Sequence, residues 1–223
     1  MLTLSVLVRF CRESFFFLAF SGMRPSPSAQ AVMVPRADYP SLKEPCKGLR
    51  RSQFSQSTLK GGRFPAKRME DESVQERHAP NSICFGCGPA NEEGLKIRSF
   101  PVENGLRMTF ETSDSHQAFP GMINGGIIGT LLDCHGNWTA AMAIMAERGE
   151  EHPPCTVTAR YTVKLRRPTP HGVPLEITSQ VESIDGDRAE ISMTLTANGE
   201  VCARGDGLFV AVKEGHPAWH RWH

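Results

Sequence analysis

One long run of helical spacing, with no second run after it, sets the main limit on what residues 70–223 can form. Ile127, Ile128, Leu131, Leu132, Trp138, Met142 and Met145 recur at three- and four-residue steps, which predicts a single helix over roughly 124–147. Glu147-Arg148-Gly149 closes it, with glycine at the position that favours a left-handed stop. Four strand-length stretches follow: Thr156–Leu165, Leu175–Ile184, Ala189–Thr196 and Val201–Val212. Turn chemistry separates them, at Pro168-Thr169-Pro170-His171-Gly172, Asp185-Gly186-Asp187 and Asn198-Gly199. Ahead of the helix, Gly94–Phe100 and Leu106–Phe110 alternate apolar and polar residues around Glu103-Asn104-Gly105, the pattern of a hairpin. The predicted order is β-β-α-β-β-β-β. A single helix cannot cover both faces of such a sheet. The expectation is therefore an α+β fold in which an antiparallel sheet wraps around one central helix and a second copy closes an edge or open face. Self-association as a homodimer or homotetramer follows from that shortage of cover.

Charge divides the chain at Met69. The total of +1 combines +9 over residues 1–69 with −8 over residues 70–223. The basic segment is rich in Pro, Ser, Gly and Arg without any period, a composition that cannot bury a core. Its apolar stretch, Ser14–Phe20, is far shorter than the about 20 residues a membrane-spanning helix needs. Three readings of residues 1–69 stand: a cleaved targeting presequence, a disordered basic arm, or a start codon placed too early, with Met69-Glu70-Asp71-Glu72 as the natural opening. The compartment is then organellar for a real presequence and cytoplasmic for a start near Met69. No nucleic-acid-binding motif accompanies the basic residues. The expected divisions are a leader at 1–69, a folded domain at 70–215 and a short surface or interface tail at 216–223.

Overall composition, with 39% hydrophobic and 22% charged residues, excludes collagen-like, coiled-coil and wholly disordered chains. The seven cysteines are odd in number and scattered through strand- and helix-like stretches, which argues against a disulfide framework. Cys84-Phe85-Gly86-Cys87 has the spacing of a metal knuckle, but no second pair of ligand residues follows it in sequence. The expectation is no metal, with the motif read as a glycine-containing turn.

The helix start is unusual for an element built only to be packed. Gly125 and Gly126 open it, Gly129 follows, and Asp133 sits among apolar neighbours. Glycine within a helix costs up to about 1 kcal/mol relative to alanine, so these positions point to close approach by another backbone or a ligand. First-turn amides carry partial positive charge and can polarise a carbonyl. Asp133 falls about 80° around the axis from Gly125, on a small and polar stripe with Gly126, Thr130, Asn137 and Ala140. Two readings remain: a carboxylate that activates water or attacks a carbonyl, or an interface carboxylate bonded to its neighbours.

The same residues resemble hotdog-fold acyl-CoA thioesterases of the PaaI-like and thioesterase-superfamily-member-4-like branch. That motif runs from a His through a glycine-containing loop to His-Gly-Gly, with an Asp eight residues after the first Gly of the pair. Here His116, Gly121, Asn124-Gly125-Gly126 and Asp133 take those places, and the opening from Cys84 to Asn91 and the stretch Leu165-Arg166-Arg167-Pro168 also match. The resemblance covers about residues 83–213. It implies hydrolysis of an acyl-CoA thioester, with Asp133 as general base or nucleophile and the Gly125 amide polarising the carbonyl. It also implies that Thr158 orients the water. Asn124 departs from the motif His and cannot carry a proton at neutral pH, which favours a non-catalytic acyl-CoA-binding protein as the alternative. His116 is the compensating candidate, and His135, two residues from Asp133, falls on the opposite side of the helix as a packed or surface residue. Lys164, Arg166 and Arg167 are the expected cations for coenzyme A phosphates, with Gly126 beside them at the helix start. Coenzyme A enters as part of the substrate, and no separate cofactor is expected.

Overall fold

A computed structural model describes residues 72–220 and Trp222. The basic leader lies outside the described residues. The elements are α1 (Val74–His78), β1 (Phe100–Val102), β2 (Gly105–Phe110), β3 (Gln117–Phe119), β4 (Met122–Ile123), α2 (Gly125–Arg148), β5 (Thr156–Leu165), β6 (Leu175–Asp185), β7 (Arg188–Ala197) and β8 (Glu200–Ala211). A six-stranded antiparallel sheet in the order β1-β2-β6-β7-β8-β5 curves around α2, and β3 and β4 form a separate two-stranded ribbon. This is the expected α+β architecture of one sheet around one helix, the hotdog fold.

Helix α2 begins and ends where its residues dictate. Asn124 caps it, its Oδ1 accepting from the Gly126 N–H at 2.7 Å, and Gly149 stops it at φ 64°. From Ile128 to Met145 every residue is buried except Thr130 and Asp133. The closest approach to the sheet is at Gly136, where a Cβ would lie 2.5 Å from Met193 Sδ and 2.8 Å from Phe209 Cζ. Strand β8 turns Ala203, Gly205 and Gly207 inward, and then Phe209, whose ring packs against Gly136. Strands β6 and β7 alternate buried and exposed positions, as half-covered strands should.

Three features depart from the sequence reading. Gly94–Phe100 is not a strand: the N–H groups of Leu95 and Ile97 donate to the carbonyls of Phe85 (2.7 Å) and Gly86 (3.0 Å), Lys96 sits at φ 49°, and the ladder starts at Phe100. Ile97 and Ser99 are buried as alternation required, but against the 84–87 turn and α1 rather than in a ladder. The short helix α1 went unpredicted although Ser73 and Glu76 form its capping box, a signal present in the sequence. The tail is not wholly at the surface either, because Trp222 is buried and stacks on Trp138 with ring centroids 4.3 Å apart.

Candidate active site

Residues four apart on a helix share a face, and Gly125, Gly129, Asp133 and Asn137 form such a stripe along α2. Strand β5 runs against it. Alternation would place residues an even number apart on one face, yet Thr158 and Tyr161 both face the helix. A bulge between Thr158 and Arg160 supplies the extra residue that makes this possible. Leu165 Cδ1 lies 3.5 Å and the Tyr161 hydroxyl 3.6 Å from where a Cβ would stand on Gly125 and Gly129 respectively. Both are ordinary van der Waals distances, so the strand's large side chains pack directly over this stripe of the helix. Tyr161 and Leu165 remain 43% and 45% exposed, and β5 is an edge strand of the sheet.

Thr158 Oγ1 donates to Asp133 Oδ1 at 2.8 Å. Asn137 fixes the direction of that single proton. Its Nδ2 donates to Thr158 Oγ1 at 3.4 Å, so the threonine oxygen accepts from Asn137 and gives to Asp133. Thr156 holds Asn137 in turn, donating to its Oδ1 at 2.8 Å while its carbonyl accepts from Nδ2 at 3.3 Å. Asp133 is only partly buried, whereas Asn137 and Thr156 behind it are buried. A carboxylate held this way keeps its aim at the surface of the helix. Burial, and next the Asp133 charge, push the Tyr161 phenol above its usual range, so Tyr161 stays a neutral donor. Asn137 and Tyr161 are the neighbours of Asp133 in this candidate site to which the sequence reading gave no role. The helical spacing of Asn137 from Asp133 was a usable signal, and the bulge that brings in Tyr161 was not.

At the start of α2 the first-turn amides divide. The Gly126 N–H is taken by Asn124 Oδ1, and no acceptor among the described residues takes the Gly125 N–H. Gly125 is exposed, so this donor points outward. Asn124 serves first as a helix cap, which leaves its Nδ2 hydrogens at the exposed helix start. His116 reaches this end through its backbone, its carbonyl accepting the Asn124 N–H at 2.9 Å. Its ring lies over Phe110, with Nδ1 accepting from the Ser113 N–H at 3.1 Å, and burial followed by the neighbouring His171 lowers its pKa.

The cations expected for phosphates are scattered. Lys164 pairs across the ladder with Arg204 on the outer face of the sheet, away from α2, and Arg167 is ion-paired with Glu200. All three of Lys164, Arg166 and Arg167 are exposed. His135 is packed: its Nε2–H donates to the Leu106 carbonyl at 3.2 Å, its Nδ1 accepts from Ser99 Oγ at 2.9 Å, and burial pushes its pKa down to about 4. Cys134, one residue after Asp133, turns to yet another side, where its thiol meets those of Cys84 and Cys87, all within 4.8 Å of one another. No described helix is long and apolar enough to cross a membrane.

No protein-family model and no curated protein matches the chain. Solved structures do. A thioesterase-superfamily protein from Shewanella loihica PV-4 is 29% identical over 56% of this chain and 98% of its own, with a TM-score of 0.46. A thioesterase from Thermus thermophilus, solved with coenzyme A and Zn, is 21% identical over 52% and 87%, with a TM-score of 0.42. PaaI from the phenylacetic acid degradation operon of E. coli is 16% identical over 53% and 81%, with a TM-score of 0.46. The chain has the hotdog fold, one antiparallel sheet around one central helix, and the solved structures similar to it include thioesterase-superfamily and PaaI proteins.

Proposed function

We propose that this protein hydrolyses an acyl-CoA thioester at a site shared between two copies. The observation that carries the reading is the Thr158–Asp133 hydrogen bond, which holds a partly exposed carboxylate on the helix face that begins with an outward Gly125 N–H. Within one chain these two groups cannot act on one carbonyl. Eight residues of helix separate them by about 12 Å, while a reacting carbonyl needs its base and its oxygen's donor each within about 3 Å. A second copy with its helix antiparallel to the first would bring its Gly125 N–H opposite Asp133. It would also cover the exposed Tyr161 and Leu165 on the β5 edge.

In such a site the thioester oxygen accepts from Gly125 N–H of one copy, and Asp133 of the other removes a proton from water as it attacks the carbonyl carbon. Negative charge moves to the oxygen, the C–S bond breaks, and the proton passes from Asp133 to the departing thiolate. Free acid and coenzyme A are the products. Direct attack by the carboxylate, with a mixed anhydride that water then opens, uses the same geometry. Arg166, exposed just past the end of β5, is the cation left for the coenzyme A phosphates, since Lys164 lies on the outer face of the sheet and Arg167 is ion-paired. A second reading, acyl-CoA binding without turnover, draws on Asn124 serving as a helix cap where the motif has His.

Subunit complementation on a panel of acyl-CoAs tests the proposal. Gly125→Pro deletes the N–H at the first helical position, where proline is well accepted, and Asn124 at φ −64° and ψ 135° already suits a residue before proline. Asp133→Asn deletes the base. Each variant alone is expected to be inert, and a refolded equal mixture should recover roughly a quarter of wild-type turnover, because half the dimers then carry one intact site. An inert mixture of folded mixed dimers rejects the shared site. A wild type that binds acyl-CoA and never turns it over establishes the binding-only reading.

A further inference from the structure

The thiols of Cys84, Cys87 and Cys134 take no part in the chemistry proposed above. Cys84 and Cys87 lie in a turn before the sheet and Cys134 lies on α2. Cys84 is half-buried and the other two are buried. Cys84 Sγ and Cys134 Sγ stand 3.9 Å apart. A disulfide would need about 2 Å. Two thiolates on a tetrahedral zinc, each at about 2.3 Å from the metal, lie about 3.8 Å apart, which is the spacing found.

The turn around the cluster is tightly closed, the Gly88 N–H donating to the Cys84 carbonyl at 2.8 Å. Two glycines make this possible. A Cβ on Gly86 would lie 2.4 Å from Cys134 Sγ, and one on Gly88 would lie 2.4 to 2.7 Å from Ser82 O, Cys84 N and Cys84 O. Trp138 is 1% exposed, and its Nε1–H finds no acceptor among the described residues. Thiols are poor acceptors for such donors and metal-bound thiolates are good ones.

We propose that Cys84, Cys87 and Cys134 form a zinc site, three thiolates closed by a water on the half-exposed Cys84 side. Binding of Zn²⁺ displaces the thiol protons into solvent and leaves a tris-thiolate of net charge −1. The ion would tie the 84–87 turn to α2 at the residue after Asp133. Sequence spacing showed two of these ligands and could not show the third, which lies 47 positions downstream of Cys87 and reaches the turn through the fold.

The full chain, purified from zinc-supplemented cells and gel-filtered against a weak chelator, is expected to retain about one zinc per molecule by elemental mass spectrometry. Cobalt(II) in its place should give thiolate-to-metal charge-transfer absorption and tetrahedral visible bands. Cys134→Ala should lower zinc affinity by about tenfold or more. Cys84→Ala, in the half-buried turn, should do the same without opening a cavity in the helix, and it keeps the test valid should the first variant fail to fold. Wild-type protein that holds less than about a tenth of an equivalent overturns the proposal, as do variants that bind zinc as tightly as wild type and a Cys84–Cys134 disulfide found by peptide mapping.

Discussion

Helix α2 carries two polar faces that have opposite fates. On one, His135 joins a closed network: Gln75 Nε2 donates to Ser99 Oγ, Ser99 to His135 Nδ1, and His135 Nε2 to the Leu106 carbonyl, with Ser179 and Thr139 completing the set. Every member is buried. On the other, Asn137 and Thr158 lead to Asp133, and the chain of bonds ends on a carboxylate at the edge of solvent. Both are polar groups on a helix in an apolar core. The closed network holds the protein together, because each of its residues is buried and bonded to another member or to a backbone carbonyl. The open one keeps a charge aimed outward, and that is what a reacting group requires.

The contrast breaks most visibly at Asp133. Asp133→Asn should lower acyl-CoA turnover by about 10³-fold, near 4 kcal/mol of barrier, while unfolding free energy changes by less than about 0.5 kcal/mol. Stopped assays with saturating acyl-CoA, read beside urea melts, check both halves. His135→Ala should behave in reverse. It leaves Ser99 Oγ without its acceptor and opens a cavity in a dry region, so stability should fall by about 3 kcal/mol, with turnover per folded molecule unchanged. A stable, inactive His135→Ala protein would show that the closed network serves catalysis and erase the distinction.

Smaller changes sharpen it. Thr158→Val keeps shape and removes the hydroxyl that donates to Asp133, and should cut kcat about tenfold with KM little altered, near 1.4 kcal/mol. Thr158→Ser should restore most of the loss, which a merely packed threonine would not require. Asn124→Ala removes the helix cap and should cost about 1 kcal/mol in a thermal or urea melt. Asn124→Ser should recover that stability, since a serine oxygen can accept the Gly126 N–H.

Most of the sheet was legible in advance because alternation and turn chemistry are local. Strand β5 begins and ends where its apolar pattern and Pro168 predicted, and α2 is bounded by Asn124 and Gly149, residues whose capping chemistry is written in their side chains. Gly94–Phe100 misled for an equally physical reason: its alternation reflects burial on one side, and burial does not say whether the partner is a strand or the 84–87 turn. In the site, Asp133, Thr158 and Gly125 were legible from the motif, and the structure joins the first two directly. Asn137 and Tyr161 were not assigned roles, because one acts through Thr158 and the other depends on a bulge.

The sequence by itself determined the element order, the helix ends, the antiparallel sheet around one helix and the presence of a carboxylate on a small, polar helix face. These follow from periodicity and from side chains that act on their own backbone. Tertiary structure alone decided that Thr158 donates to Asp133, that Lys164 turns to the outer face beside Arg204, and that Cys134 meets Cys84 and Cys87. Each of these joins residues at least 25 positions apart in sequence or depends on which face a pleated strand presents after a bulge. No local pattern records that information, because it is created when the sheet closes on the helix.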